Sequence, residues 1–169
     1  MAVKGYTPGL FDRLLDEPTH GAGSGSTSGT VARLSIEEMK DAVARDLEAL
    51  LNTRAVVRED LLKRFPECGR SIASYGLSDF AGLSLSSTDD RAYICRALER
   101  AILRHEPRLR NVQASLEVRE GAINRLGFNI TALLVASATQ EPVNFDAVLQ
   151  PSSLHYTISK ARRAAQPGA

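Results

Sequence analysis

At Pro107 the spacing of apolar residues changes from that of a helix to that of a strand, which limits the possible folds more than any other feature. Upstream, Ile94, then Ala97 or Leu98, then Ala101 or Ile102 recur every three to four residues, the mark of a helix buried along one side. Proline has no amide hydrogen and its ring clashes with the preceding turn, so that helix must stop before Pro107. Downstream, Val112, Ala114, Leu116 and Val118 alternate with Gln113, Ser115, Glu117 and Arg119. The alternation returns from Leu126 through Phe128, Ile130, Ala132 and Leu134, again in Val143, Phe145, Ala147 and Leu149, and more weakly in Leu154, Tyr156 and Ile158. Short connections between such segments favour an antiparallel meander with one face on a core and one in water. The expected fold class is α+β, with helices packed on one face of a small, mainly antiparallel sheet.

Two helices are placed by their caps. Ser35 and Glu38 form a capping-box pattern, and Ile36, Met39, Val43, Leu47 and Leu50 continue it as a buried stripe to about Asn52. Ser86 or Ser87 caps the helix before Pro107, with Asp89 and Asp90 at its positive end. Between them, residues 58–65 form a short helix stopped before Pro66. Residues 71–83 carry apolar anchors separated by glycines, the composition of a packed loop without regular repeat. Residues 19–30 are dominated by Gly, Ser and Thr, which lose much entropy on ordering and bury little. The resulting organisation is an N-terminal segment at 1–17, a Gly/Ser linker at 18–34, the main domain at 35–159 and a basic C-terminal tail at 160–169. Leu10, Phe11, Arg13 and Leu14 make the first segment either a docking element that reaches a neighbour or a terminus with no role.

Composition excludes several functions. Lys and Arg nearly balance Asp and Glu, for a formal charge of +1, so there is no electrostatic case for a dedicated nucleic-acid or anionic-membrane binder. Cys68 and Cys95 are too few for a disulfide framework and read as free, partly buried thiols. They and His20, His105 and His155 form no ligand spacing, so no metal or other cofactor is expected. The strongest apolar run, residues 132–136, is too short to cross a bilayer, and a cytoplasmic location is the default. A glycosidase needs two carboxylates at a defined separation, and Glu106, Glu117, Glu120, Glu141 and Asp146 lie near the strands. Such residues ordinarily decorate a solvated sheet face, and no serine sits in a nucleophile elbow.

The most unusual local sequence is Glu106-Pro107-Arg108-Leu109. Proline biases Glu106 toward an extended backbone, and if Glu106, Arg108 and Arg110 are all extended their side chains share one face. Opposite charges at such a corner pair with each other or with complementary charges of a partner. Composition alone favours a local pair of small energetic worth.

Several separated blocks carry a resemblance. Asn52-Thr53-Arg54, then Ser74-Tyr75-Gly76-Leu77-Ser78-Asp79-Phe80-Ala81-Gly82-Leu83, then Ala101-Ile102 leading into Glu106-Pro107-Arg108-Leu109, resemble the TssE family of type VI secretion baseplate subunits. That family is related to the small wedge protein of contractile phage tails and is sometimes labelled lysozyme-like. Leu126-Gly127-Phe128-Asn129-Ile130, Pro142-Val143-Asn144-Phe145 and the opening Leu10-Phe11-Asp12-Arg13-Leu14 extend the resemblance over nearly the whole chain. One departure is Ser78, where the family commonly has proline.

The resemblance implies a structural wedge protein and not an enzyme, with a peptidoglycan-cleaving glycosidase as the alternative that the label invites. It implies the partners TssF and TssG, with TssK nearby, a connection to the TssB–TssC sheath, and assembly at an inner-membrane-anchored apparatus. It also associates Glu106, Pro107 and Arg108 with sheath attachment. An open edge of the meander would accept or present a strand to the sheath.

Overall fold

The structure is a computed structural model that describes residues 35–57, 59–80, 82–84, 86–117, 126–136, 139–150, 152–153 and 155–160. The expected N-terminal segment with Leu10, Phe11, Arg13 and Leu14, the linker and nearly all of the tail lie outside the described residues. The chain divides into two units, Met1–Ala42 and Val43–Ala169.

In the first unit, the described residues open helix α1 (Ile36–Leu51). The capping box is formed: the Ser35 amide donates to Glu38 Oε2 at 2.7 Å, and the Glu38 amide to Ser35 Oγ at 3.3 Å. These bonds from Ser35 hold the Glu38 carboxyl below its usual range. Met39 is buried, as the stripe requires, and so is Ala42 beside it.

The second unit carries the rest. Helix α2 (Glu59–Arg64) ends one residue sooner than Phe65, and two 3-10 turns follow, Pro66–Arg70 and Ile72–Ser74. Helix α3 (Thr88–His105) is capped by Ser87, whose side chain accepts from the Asp90 amide at 3.3 Å. Its buried residues are Ile94, Ala97, Leu98, Ala101 and Ile102, so both members of each adjacent pair that the spacing offered are buried. Strands β1 (Leu109–Glu117), β2 (Leu126–Ala136), β3 (Thr139–Gln150) and β4 (His155–Lys160) form one antiparallel sheet in the order β1-β2-β3-β4. The chain is therefore α+β, with a four-stranded meander. Lys160, assigned to the tail on sequence, ends β4 opposite Phe145.

The register explains why one sheet face is apolar. Leu116 on β1 pairs with Phe128 on β2, which pairs in turn with Ala147 on β3, and Ala114, Ile130 and Phe145 form a second such row. Phe128, Ile130, Leu134 and Phe145 are almost wholly buried together with Val43, Leu47, Leu98 and Ile102. A slip of one residue would turn this entire set toward water, so the pattern itself fixes the pairing.

Strand β1 departs from strict alternation. Leu109 and Val112 are both buried although three residues apart, and the ladder shifts between Arg110 and Gln113. Asn111 has φ of 52°, a left-handed conformation that asparagine tolerates better than most residues. This bulge inserts the extra residue that brings both Leu109 and Val112 to the core.

The loop at residues 71–83 is packed around a backbone bridge. Leu77 N–H donates to Thr53 O at 2.8 Å, and Ala55 N–H donates to Leu77 O at 2.9 Å. Gly76 has φ of +111°, and a Cβ there would sit 2.4 Å from Thr53 O. Only glycine permits this approach. Gly76 is thus a backbone requirement of the loop.

Candidate functional site

The corner between α3 and β1 is built by a turn and an ion cluster. Glu106 N–H closes the helix by donating to Ile102 O at 2.8 Å, with φ −117° and ψ 84° at Glu106. Leu109 N–H then donates to Glu106 O at 3.1 Å, a four-residue turn with Pro107 at its second position. Val135 N–H donates to Arg108 O at 2.8 Å and ties the turn to β2.

Inside this turn the Glu106 carboxylate is buried, at 4% exposure. Arg108 grips it with two nitrogens: Nε donates to Oε1 at 2.7 Å and Nη2 to Oε2 at 2.5 Å. The Arg108 amide also donates to Oε1, at 3.1 Å. Nη2 donates further to Asp46 Oδ2, which brings in α1 from 62 positions away. Burial alone would lower the Arg108 pKa, but the bonds and charge of Glu106, and then of Asp46, outweigh it and raise the value. The guanidinium is therefore a fixed cation shared by two carboxylates.

These contacts sharpen the sequence reading in three ways. Glu106, Arg108 and Arg110 do not share a face, because the turn at Pro107 breaks the extended run; Arg110 is exposed while Glu106 is buried. Glu106 and Leu109 are inside, and Pro107 is the exposed member of the motif. Asp46 was missed altogether, since nothing local to it in the sequence signals a partner so far along the chain.

The loop reaches the same helix end. His105 Nε2 donates to Ser74 O at 2.9 Å, and the His105 and Tyr75 rings meet edge to face with centroids 5.3 Å apart. Burial lowers the His105 pKa, partly countered by the bond to Ser74.

The sheet edges are also less open than a bare meander would be. On β4, Tyr156 N–H donates to Asn52 Oδ1 at 2.8 Å, and Asn52 Nδ2 donates to Tyr156 O at 2.9 Å. Ile158 N–H donates to Glu48 Oε2 at 2.8 Å. On β1, Ala114 N–H donates to Glu99 Oε1 at 2.8 Å. Helix side chains thus hold outward backbone groups on both edges, so strand addition at these positions requires a contact to yield.

The remaining candidates give little chemistry. Among the described residues no cluster of His, Cys, Asp or Glu is arranged to hold a metal ion, and no helix is long and apolar enough to cross a membrane. Cys68 is exposed rather than partly buried, whereas burial, with Glu99 nearby, pushes the Cys95 thiol pKa up. Of the carboxylates considered for hydrolysis, Glu106 is held by Arg108, and Asp146 accepts from Asn129 Nδ2 at 3.4 Å. Glu120 lies outside the described residues.

Helix α3 thus ends at a buried acidic-Pro-Arg corner that feeds a four-stranded meander, the architecture of a small α+β domain. Residues 37–139 match the family model of the baseplate wedge protein gp25, and the chain belongs to that family. This agrees with the TssE-like blocks of the sequence and makes the protein a structural component of a baseplate, not an enzyme.

Two curated relatives are anti-adapter proteins IraD from Escherichia coli. That of strain SMS-3-5 / SECEC is 31% identical over 108 residues, covering 62% of this chain and 82% of the relative. That of O6:H1 strain CFT073 is 28% identical over 120 residues, covering 71% and 83%. A solved Geobacter sulfurreducens protein with a tail-lysozyme label aligns over 79% of this chain and 99% of its own, at 20% identity and a TM-score of 0.44. At that similarity it lends no support to the glycosidase alternative.

Proposed function

We propose that this chain is a wedge subunit of a type VI secretion baseplate, working in the cytoplasm at an inner-membrane-anchored apparatus, and that it joins the baseplate to the contractile sheath. The observation that carries the reading is the corner at Glu106-Pro107-Arg108, whose ion cluster locks α1, α3 and the start of β1 together. A joint that carries contraction needs a fixed geometry, and a guanidinium that holds both Glu106 at the end of α3 and Asp46 on α1 supplies it. In this account the corner acts on the TssB–TssC sheath chiefly through shape: it sets the direction of β1 and presents Pro107 and Arg110, while Glu106 and Leu109 work from inside. TssF and TssG are the proposed wedge partners, with TssK nearby. The segment containing Leu10, Phe11, Arg13 and Leu14 is proposed to dock on one of them.

The test replaces Glu106 by Gln and Arg108 by Ala, singly and together, and follows fluorescent sheath assembly in cells alongside protein level. Loss of sheath assembly is expected for Arg108→Ala and for the pair. Normal assembly in all three variants at normal protein level overturns the role of the corner. Removal of residues 1–17 tests the docking segment separately: reduced co-purification with TssF and TssG is expected, and unchanged co-purification rejects it.

A further inference from the structure

The charged groups around the cavity at the far end of the sheet are already matched. There Leu126, Leu149 and Tyr156 lie opposite one another across β2, β3 and β4. With Leu77, Ile94 and Phe128 they help line a space of about 120 Å³. Its two charged lining residues, Arg54 and Asp79, pair with each other at 3.1 Å. The solvent side of α3 is the opposite case, because it gathers charges of one sign. Residues 91–110 hold six arginines and two glutamates, in a chain whose formal charge is +1. Both glutamates are engaged elsewhere: Glu99 accepts from the Ala114 amide, and Glu106 is gripped by Arg108.

Three of those arginines form a stripe. Arg96, Arg100 and Arg104 are four residues apart, so each stands about 40° round the helix from the last, and the three span roughly 12 Å along it. All three are exposed, while Ile94, Leu98 and Ile102 on the other side of α3 are buried. Leu103, seven residues after Arg96, lies on the same side and is 50% exposed. Arg100 lies over the Tyr93 ring, 6.0 Å from its centroid. Arg100 and Arg104 also border a hollow of about 40 Å³ that is lined in part by Val57, Leu62, Ala97 and Ala101. The cations thus have apolar neighbours on both flanks.

Stability of the helix does not account for the stripe. Like charges at this spacing repel one another and weaken a helix. Arg104, in the last turn, favours the negative end of the helix dipole, but Arg96 comes well before that turn. On α1, by contrast, neighbouring charges are opposite, as in the Lys40–Glu37 pair at 3.0 Å. Neither Arg96 nor Arg104 has a carboxylate partner among the described residues. A face that repels itself fits a partner of the opposite charge. Guanidinium forks match carboxylates with two bonds, and arginine is enriched with apolar groups at protein interfaces. A phosphate backbone offers nothing to Leu103 or to the hollow. We propose that the outer face of α3, from Arg96 to Arg104 around Leu103, docks an acidic amphipathic segment of another protein. Its carboxylates meet the arginines and an apolar side chain rests against Leu103. This holds whether or not the corner contacts the sheath, since Glu106 and Arg108 take no part in it.

The test titrates a fluorescein-labelled helical peptide of about 15 residues with the full chain and reads anisotropy. The peptide carries glutamate at three positions four residues apart, with leucine beside them. Replacing its glutamates by glutamine is expected to weaken binding roughly tenfold, and added salt should weaken it too. Arg96→Glu with Arg104→Glu is expected to cost a comparable factor, and Leu103→Ala roughly fivefold. Arg96→Glu alone exchanges repulsion of Arg100 for attraction, so its melting temperature should not fall. If the double change unfolds the chain, Arg96→Gln with Arg104→Gln takes its place, with a smaller loss expected. Equal affinity for the two peptides, or equal affinity of native and variant chains, overturns the proposal. So does no binding of the glutamate peptide, or tighter binding of a labelled single-stranded oligonucleotide or of phosphatidylserine vesicles.

The source is tested by a benzophenone photocrosslinker in place of Leu103, in cells that make the protein at its natural level. The expected product is a mapped peptide of another protein with carboxylates three or four residues apart. Changing those carboxylates to lysine should remove the crosslink, and adding Arg96→Glu with Arg104→Glu should restore it. No crosslink, one to a peptide of this chain or to a peptide without acidic residues, or one indifferent to both changes overturns the assignment.

Discussion

At the Leu109 end of the sheet Glu106, Arg108 and Asp46 satisfy one another, whereas at the Leu126 end the Tyr156 hydroxyl is buried with no hydrogen-bond partner among the described contacts. The two ends lie eight residues apart along β2, roughly 26 Å at the usual rise of a strand. The same sheet thus carries one end completed within the chain and one end left incomplete. Buried polar groups stiffen a structure when all are paired and weaken it when one is not. The corner is therefore built for fixed shape, and the far end carries one buried polar group left unpaired.

The largest expected effect breaks the complete end. Arg108→Ala leaves the buried Glu106 carboxylate without its cation and should lower stability by about 3 kcal/mol, measured by denaturant unfolding. Arg108→Lys keeps the charge but loses the two-nitrogen grip, and should fall between. A loss below about 1 kcal/mol for Arg108→Ala would place the pair with ordinary surface ion pairs.

A smaller effect reads the incomplete end through pH. Burial pushes the Tyr156 hydroxyl up to about 12 from 10. A raised acid group contributes stability that is fully present below the unfolded value, here near pH 10, and is lost as pH rises through the folded value. The native chain should therefore lose roughly 2–3 kcal/mol more than Tyr156→Phe between pH 10 and 12. Parallel pH curves for the two proteins would mean that the hydroxyl is solvated after all.

The smallest contrast compares packing at the two ends. Leu109 is 2% exposed in the closed corner, so Leu109→Phe should cost about 1–3 kcal/mol by overpacking. Leu149 borders the cavity, and Leu149→Phe should be within about 0.5 kcal/mol of the native chain or stabilising, because there is space to fill. Equal costs at both positions, read from thermal melts, would erase the distinction.

Much of the complete end was legible in the sequence, and the incomplete end was not. The helix stop at Pro107, the strand alternation and the Ser35–Glu38 cap are local rules, met at the described residues, while Val118 and Leu154 lie outside them. The bulge at Asn111 was hidden, because a two-residue period read from Val112 onward gives no account of Leu109. Asp46 and Asn52 were hidden for a different cause: their partners, Arg108 and Tyr156, are 62 and 104 positions away and meet only once the helices and sheet are assembled. The cavity leaves no trace at all in sequence, since it is a space between Leu77, Ile94, Phe128 and Leu149, each of which reads only as core. Gly76 stands between these cases: the glycine was visible, but its clash distance from Thr53 exists only in the folded loop.

The measurement that bears most directly on the central claim is a double-mutant cycle on Glu106→Ala and Arg108→Ala, read as unfolding free energy of the purified chain. If the corner's charges serve the fold, the two changes are strongly non-additive, with a coupling of about 2 kcal/mol. Additive effects, with coupling near zero, would contradict it and return Glu106 and Arg108 to the role of charges held for a partner.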